Sequence, residues 1–287
     1  AAGGSPDIIA RAMGEELSAM LGQSVVIENR GGAGGNIAAQ YVLEQPADGH
    51  TLFFGTSGNM ATNKVLYRQL KFDPERDFVP VSIAYASCNV LIVGANGPIK
   101  SIPDLIAEAK KRPGALSFGS PGVGTAGHLI GELFKSRAGV ELVHVPYRGQ
   151  SQVINDLLGG HIQMMIVSIG LVAQHWQSGK LNVVGFGSTA RVPQYPDVPT
   201  LAEAGLPGYE AGSWYGLAAP KGTPKEIIDR ISAETQKILA GPEFREKFLT
   251  PNFIYSIGSP PAEFAARISR DNAKWSKVIK DGGIKVE

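Results

Sequence analysis

The sequence predicts an α/β protein built as two lobes of similar design. Three observations carry this expectation. Helix-like and strand-like apolar periodicities alternate along the whole chain. Its 287 residues exceed one typical core and suit two lobes. One stretch of sequence grammar also recurs roughly 115–118 residues later, as an internal repeat would.

The elements follow in order. Ile8, Ile9, Ala12, Met13, Leu17 and Met20 recur at helical steps over Ser5 to Met20, and Gly22 ends the run. Val25-Val26-Ile27 reads as a short buried strand, Asn36 to Glu44 as a helix and Thr51 to Gly55 as a strand. This is the rhythm of a parallel sheet with crossover helices. Asp73, Glu75 and Asp77 read as a solvated turn, and Asn89 to Gly94 as an apolar strand. Ser101 is a fitting N-cap for a helix with Pro103 in its first turn, ending at Arg112-Pro113-Gly114.

Three further units follow, each a strand and then a helix. They are Leu116–Gly119 with Ala126–Ala138, Leu142–Val145 with Gln150–Leu158, and Ile162–Val167 with Leu171–Ser178; strand Leu181–Phe186 closes the series. Ser213–Pro220 is extended. Thr223 and Pro224 suit the N-cap and first position of a helix running to about Leu239. A short helical stretch from Pro242 to Leu249, a strand from Phe253 to Ile257 and a last helix to about Asp281 complete the chain.

The repeat pairs Gly4-Ser5-Pro6, a helix, strand 25–27 and Arg30-Gly31 with Gly119-Ser120-Pro121, a helix, strand 142–145 and Arg148-Gly149. Lobe one is expected to hold residues 1–97 and 221–287, and lobe two residues 98–220. Asn89–Gly94 and Ser213–Pro220 would be the crossings, forming a hinge between rigid bodies.

Composition narrows the function. Hydrophobic residues make up 43% and charged residues 18%, a globular balance. Net charge is +1 with no basic block, which excludes the footprint of a nucleic-acid binder. Cys88 stands alone in an apolar run, so a buried inert thiol is expected, with no internal disulfide and no cysteine metal site. No apolar run approaches the roughly 20 residues that span a bilayer. The chain opens on a loop-like Ala-Ala-Gly-Gly-Ser-Pro, as a mature or trimmed chain would.

Binding chemistry is expected at glycine-rich turns that lead into helices, where backbone N–H groups meet the positive end of the helix dipole. The candidates are Gly3-Gly4-Ser5-Pro6, Thr56-Ser57-Gly58-Asn59, and Ser120-Pro121-Gly122 with Gly124-Thr125. Tyr147 follows a strand and can hydrogen-bond a ligand; Arg148 can add positive potential or stand as a loop charge. Ser168 and Ile169 would form a variable wall, and Trp214 and Tyr215 would floor an apolar ligand or pack the hinge.

Gly122 to Gly127 also matches the G-x-G-x-x-G dinucleotide fingerprint. The fingerprint wants an acid ending the next strand, and here that strand ends Val145-Pro146-Tyr147-Arg148. No catalytic set emerges. His128 and Glu132, four apart on a helix, read as an ordinary surface pair, and there is no zinc-protease, nucleophile-elbow or Walker pattern. A nucleotide-binding enzyme and a binding protein that docks on a signalling receptor are the two alternatives.

The chain resembles the substrate-binding proteins of tripartite tricarboxylate transporters, the Bug family. The resemblance rests on AGGSPDIIAR (2–11), GQSVVIENRGGAGGN (22–36), PADGHTLFFGTSG (46–58), FGSPGVGTAGHLIGELF (118–134), VHVPYRG (143–149), DLLGGHIQMM (156–165), PDVPTLAEAGLPGYE (196–210) and SWYGLAAPKGTP (213–224), and covers essentially the whole chain. It implies a periplasmic-binding-protein-like clamshell without enzymatic activity or cofactor. Such a protein is exported to the periplasm, is monomeric, and hands a small carboxylate to membrane permease subunits. The resemblance also implies that the turns named above bind the carboxylate through main-chain groups and waters. Two departures stand out: the family's first strand, before the AGG turn, is absent or trimmed here, and Val167 stands about where the family often has an acid. The second departure favours an apolar, aromatic or plain organic acid over an ammonium-bearing ligand.

Overall fold

A computed structural model describes residues 5–67, 69–192 and 194–284. The chain opens with α1 (Ser5–Leu21) and α2 (Asn36–Leu43), then β1 (Phe53–Thr56), a π-helical turn at Gly58–Thr62, α3 (Asn63–Leu66) and α4 (Pro74–Asp77). β2 (Phe78–Ser87), β3 (Asn89–Gly94), α5 (Ile102–Lys111), β4 (Ser117–Ser120) and α6 (Ala126–Ala138) follow. Next come β5 (Val143–Pro146), α7 (Gln150–Leu158), β6 (Met164–Ser168), α8 (Ala173–Gln177), β7 (Leu181–Phe186) and β8 (Ser213–Pro220). α9 (Lys225–Ala240), α10 (Pro242–Phe244), β9 (Ile254–Ser256) and α11 (Pro261–Asp281) end it.

These elements form two compact units. The first takes residues up to 86 and 213–277; the second takes 87–212 and the residues from 278. The first two passages fall earlier than residues 97 and 220, and a third falls within α11, after Lys277. β3 belongs whole to the second unit's sheet and β8 whole to the first unit's, so the first two passages lie at strand ends.

The first unit's sheet has the order β1-β8-β2-β9, with β1 and β8 antiparallel from Phe53↔Ala218 to Thr56↔Tyr215. α1 buries Ile9, Ala12, Met13 and Leu17 in a core with Tyr85, Ile231 and Leu239. Phe53, Phe78, Trp214, Phe264 and Ile268 form a second cluster in the same unit. β2 is absent from the sequence reading because it is buried at almost every position, which removes the alternation that marks a half-exposed strand.

Two further expectations are corrected here. Val25–Ile27 forms no strand and pairs into no sheet among the described residues; Val25 N–H donates to Ser18 Oγ at 2.8 Å and Val26 is 79% exposed. The acidic stretch at 73–77 is a capped helical turn, in which Asp73 accepts from Glu75 N–H at 3.0 Å and Lys64 pairs with both carboxylates.

The second unit's sheet has the order β5-β4-β6-β3-β7. β4 runs parallel to β5 and β6, as the strand–helix alternation predicts, whereas β3 is antiparallel to both of its neighbours, so the sheet is mixed. Ser101 caps α5, accepting from Asp104 N–H at 3.2 Å. Thr223 does not cap α9: its hydroxyl donates to the Pro220 carbonyl at 2.8 Å and Pro224 stands at the helix boundary. Cys88 is buried, and burial pushes its thiol up to about 11, consistent with an inert packing role.

The long connection from β7 to β8 has little regular structure but is pinned throughout. Phe186 N–H donates to Pro199 carbonyl at 2.9 Å and Leu201 N–H to Phe186 carbonyl at 2.7 Å. Arg191 pairs with Glu203 at 3.0 Å, the buried Tyr209 hydroxyl donates to Ile130 carbonyl on α6 at 3.0 Å, and Asn89 Nδ2 donates to Ala211 carbonyl at 2.6 Å.

Candidate ligand-binding turns

In the second unit, β4 delivers Ser120 to the turn that starts α6. Ser120 is fully buried, so its hydroxyl is not a ligand contact as expected; it donates to Gly122 carbonyl at 2.9 Å and lies 2.7 Å from His144 Nε2. A hydroxyl has one proton, so His144 donates this second bond through Nε2–H. Gly122 and Gly124 hold φ of 142° and 77°, a region that side chains rarely adopt. Gly124 N–H is likewise not open to a ligand, because it donates to His128 Nδ1 at 3.0 Å.

The turn leaves other donors open. Thr125 Oγ1 donates to Gly122 carbonyl at 2.7 Å and makes no cap bond to α6. The first-turn N–H groups of α6, at Ala126 and Gly127, therefore open beside the half-exposed Pro121, Gly122 and Thr125 at the positive end of a 13-residue helix. α6 can approach the sheet closely because a Cβ on Gly131 would fall 2.2 Å from the Phe118 ring.

Beneath the turn, His128 and His144 stack at 3.8 Å and 9°, and Phe118 stacks on His144 at 4.9 Å. Burial depresses both imidazoles, and mutual repulsion deepens the effect for His144, which falls to about 4. His128 is 6% exposed, so the pair it makes with Glu132 is internal, contrary to the surface pair expected. The sequence reading missed both rings as parts of the turn, since no spacing rule links a helix residue to one on a neighbouring strand. Only the parallel register, Phe118↔His144, brings them together.

Tyr147 is half-buried, and its hydroxyl donates to Asp156 Oδ2 at 2.7 Å; burial and that carboxylate push the phenol up to about 12. Its hydroxyl proton is therefore already engaged. Ser168 is half-exposed at the end of β6. Ile169 is 1% exposed and its N–H donates to Cys88 carbonyl, so its side chain is core and not wall. Val167 is also buried, within β6.

In the first unit, Thr56 at the end of β1 and the following Ser57 and Gly58 are half-exposed. Asn59 is 3% exposed and turns inward: its Oδ1 accepts from Thr56 N–H at 2.8 Å, so it shapes the turn and does not face solvent. A Cβ on Gly35 would meet Asn59 Nδ2 at 2.4 Å. Pro6 is half-buried in the first turn of α1. Gly3, Gly4 and the Ser5 side chain lie outside the described residues.

Trp214 is 1% exposed, donates through Nε1 to Asp271 Oδ2 at 2.6 Å and meets Phe264 edge-on, which makes it core and not a ligand floor. Tyr215 is half-buried and stacks on Tyr85 at 4.6 Å. Among the described residues no group of three or more His, Cys, Asp or Glu could hold a metal ion, and no helix is long and apolar enough to cross a membrane.

Comparison with known proteins places this geometry. The family model described as the tripartite tricarboxylate transporter family receptor matches residues 9–284. A protein encoded in the tcbD–tcbE intergenic region of Pseudomonas sp. (strain P51) is 40% identical over 278 residues, covering 96% of this chain and 82% of its own. Protein BugT of Bordetella pertussis is 33% identical over 286 residues, covering 99% and 87%. Among solved structures, R. palustris Rpa4515 with adipate superposes with a TM-score of 0.83 at 38% identity, covering 99% of this chain and 95% of that one. A TctC solute-binding protein from Polaromonas gives 0.86 at 28% identity, covering 98% and 95%. MatC from Rhodopseudomonas palustris with bound malate gives 0.78 at 29%, covering 97% and 96%. These neighbours share the periplasmic-binding-protein-like α/β fold with two sheets.

Proposed function

Because the chain belongs to the tripartite tricarboxylate transporter receptor family, we propose that it captures a small organic carboxylate and delivers it to the membrane permease of such a transporter. It acts as a monomer in the periplasm, binding without chemical conversion. The observation that carries the ligand class is the uncapped start of α6: a glycine-rich turn whose N-cap hydroxyl is turned away, leaving main-chain donors for an anion. Neighbours of this fold with adipate and with malate bound support the same class.

The carboxylate sits against Pro121, Gly122 and Thr125, with the ring of Tyr147 on the same unit beside it. The nucleotide-enzyme alternative has only the Gly122–Gly127 pattern, which the anion-binding turn already accounts for.

A thermal-shift panel of adipate, malate, citrate, glutamate, nicotinate and terephthalate, with NAD as the opposing control, tests this. A ligand at about 100 times its Kd adds about 2.7 kcal/mol of stability. That is about 4–5 °C for a chain of this length. A shift with one class of acid is expected; a shift with NAD and none with any acid overturns the proposal.

A further inference from the structure

His128 is buried and His144 half-buried beneath the turn, and between them they hold two of its backbone positions. Gly124 N–H donates to His128 Nδ1 at 3.0 Å, and His144 Nε2 bonds the Ser120 hydroxyl at 2.7 Å, which in turn holds Gly122. The Gly124 bond fixes the His128 tautomer. The ring's one lone pair is on Nδ1 and points at Gly124, so the ring hydrogen is on Nε2 and faces Glu132 Oε1 at 3.9 Å. A proton entering His128 must take that lone pair, and the imidazolium can no longer accept from Gly124.

The surroundings resist that proton. On α6, Glu132 faces the ring but is itself paired with Lys135 at 2.8 Å. β5 contributes His144, stacked at 3.8 Å, where a second charge would repel the first. β4 contributes Phe118 and Ser120, and β6 has no ionisable residue from Met164 to Ser168. His128 also stands in the first turn of α6, the positive end of the helix dipole.

We propose that His128, backed by His144, is a positioning residue for the anion-binding turn, and that the turn keeps its shape only while His128 is neutral at Nδ1. The inference rests on the carboxylate reading of that turn. It makes ligand release sensitive to acid: protonation frees Gly124 from its left-handed conformation, and the α6 donors lose their fixed aim. The histidines act through the backbone and make no contact with the ligand.

The test uses the whole chain as wild type, His128→Asn and His128→Leu, with adipate as the probe, titrated calorimetrically from about pH 8 to about pH 5. Asparagine Oδ1 stands where Nδ1 stood and accepts from Gly124 without titrating; leucine cannot accept. His128→Asn is expected to bind within about twofold of wild type at pH 8 and His128→Leu about tenfold more weakly, the worth of one buried hydrogen bond. Wild-type affinity should fall further than that of His128→Asn as pH drops; protonation of adipate is common to both, so the difference isolates the ring. Equal affinity in wild type and His128→Leu, or identical pH profiles in wild type and His128→Asn, overturns the proposal.

A second readout needs no ligand. In the NMR spectrum the Gly124 amide should titrate with the His128 ring in wild type and not in His128→Asn, and a Gly124 amide indifferent to His128 overturns the proposal. If wild type binds no carboxylate at pH 8, the ligand reading has failed and the NMR titration alone decides the positioning role. If His128→Leu does not fold, the asparagine variant carries both readouts.

Discussion

Replacing Trp214 with phenylalanine separates a core role from a binding role. The indole is 1% exposed and its Nε1–H donates to Asp271 Oδ2 at 2.6 Å. Burial alone would raise the Asp271 carboxyl, but Lys274, Arg267 and the indole N–H together hold it below the usual carboxylate range. The site is therefore a buried charge whose Oδ2 accepts from the indole and Arg267 and whose Oδ1 faces Lys274 Nζ at 3.4 Å. Trp214→Phe removes one hydrogen bond to a charged group, about 1.5–3 kcal/mol. It also removes the five-membered ring from a packed core, about 1 kcal/mol more. Retention of the edge-on Phe264 contact at 5.2 Å keeps the loss near the lower end. The expected total of about 3 kcal/mol corresponds to about 5 °C in Tm for a chain of this length. Urea unfolding followed by far-ultraviolet circular dichroism measures it without relying on the altered fluorophore. Affinity for the bound acid should stay within about twofold. Unchanged stability with lost binding would refute the core assignment and return Trp214 to the ligand.

Two further outcomes follow from the second unit. Gly131→Ala drives a Cβ to within 2.2 Å of Phe118, between helix and sheet, and should destabilise the chain by about 2–3 kcal/mol in the same urea assay. Acid should also destabilise the fold. The imidazole of His144 goes from the ordinary 6.5 to about 4, so its neutral form contributes stability that is fully present above pH 6.5. That stability is lost as pH falls toward 4, because the unfolded chain takes up the proton first. At about 1.4 kcal/mol per pH unit, and with solvent screening of a half-buried ring, the loss is about 2 kcal/mol. His144→Gln should flatten the stability–pH curve between those limits; an unaltered slope would refute the assignment.

Much of this fold is legible in the sequence where one physical signal dominates. α1 shows its apolar stripe, Ser101 and Pro103 mark the start of α5, and Gly139 closes α6 with its left-handed backbone. Legibility fails where tertiary packing replaces pattern. β2 hides because both of its faces are covered, and Val25–Ile27 looks like a strand but finds no ladder. The turns at Thr56 and Ser120 are visible as glycine-rich helix starts, but which atoms they offer is not. Ser120, Asn59 and Gly124 carry the right chemistry for an anion and spend it on one another and on a histidine. Trp214 and Ile169 read as wall because aromatic and apolar residues suit both a wall and a core. Burial decides between these roles, and it belongs to the fold as a whole.

The β7–β8 connection carries a consequence for how this chain can change. Its length invites treatment as a tolerant loop, open to insertion or cutting. Yet Leu201 is locked to Phe186, Tyr209 to the backbone of α6, and Ala211 to Asn89. A residue added between 199 and 211 would have to break one of these bonds or shift the helix that starts the binding turn. Substitutions at its exposed side chains leave these backbone ties in place, whereas a change in its length strains the parts it ties together.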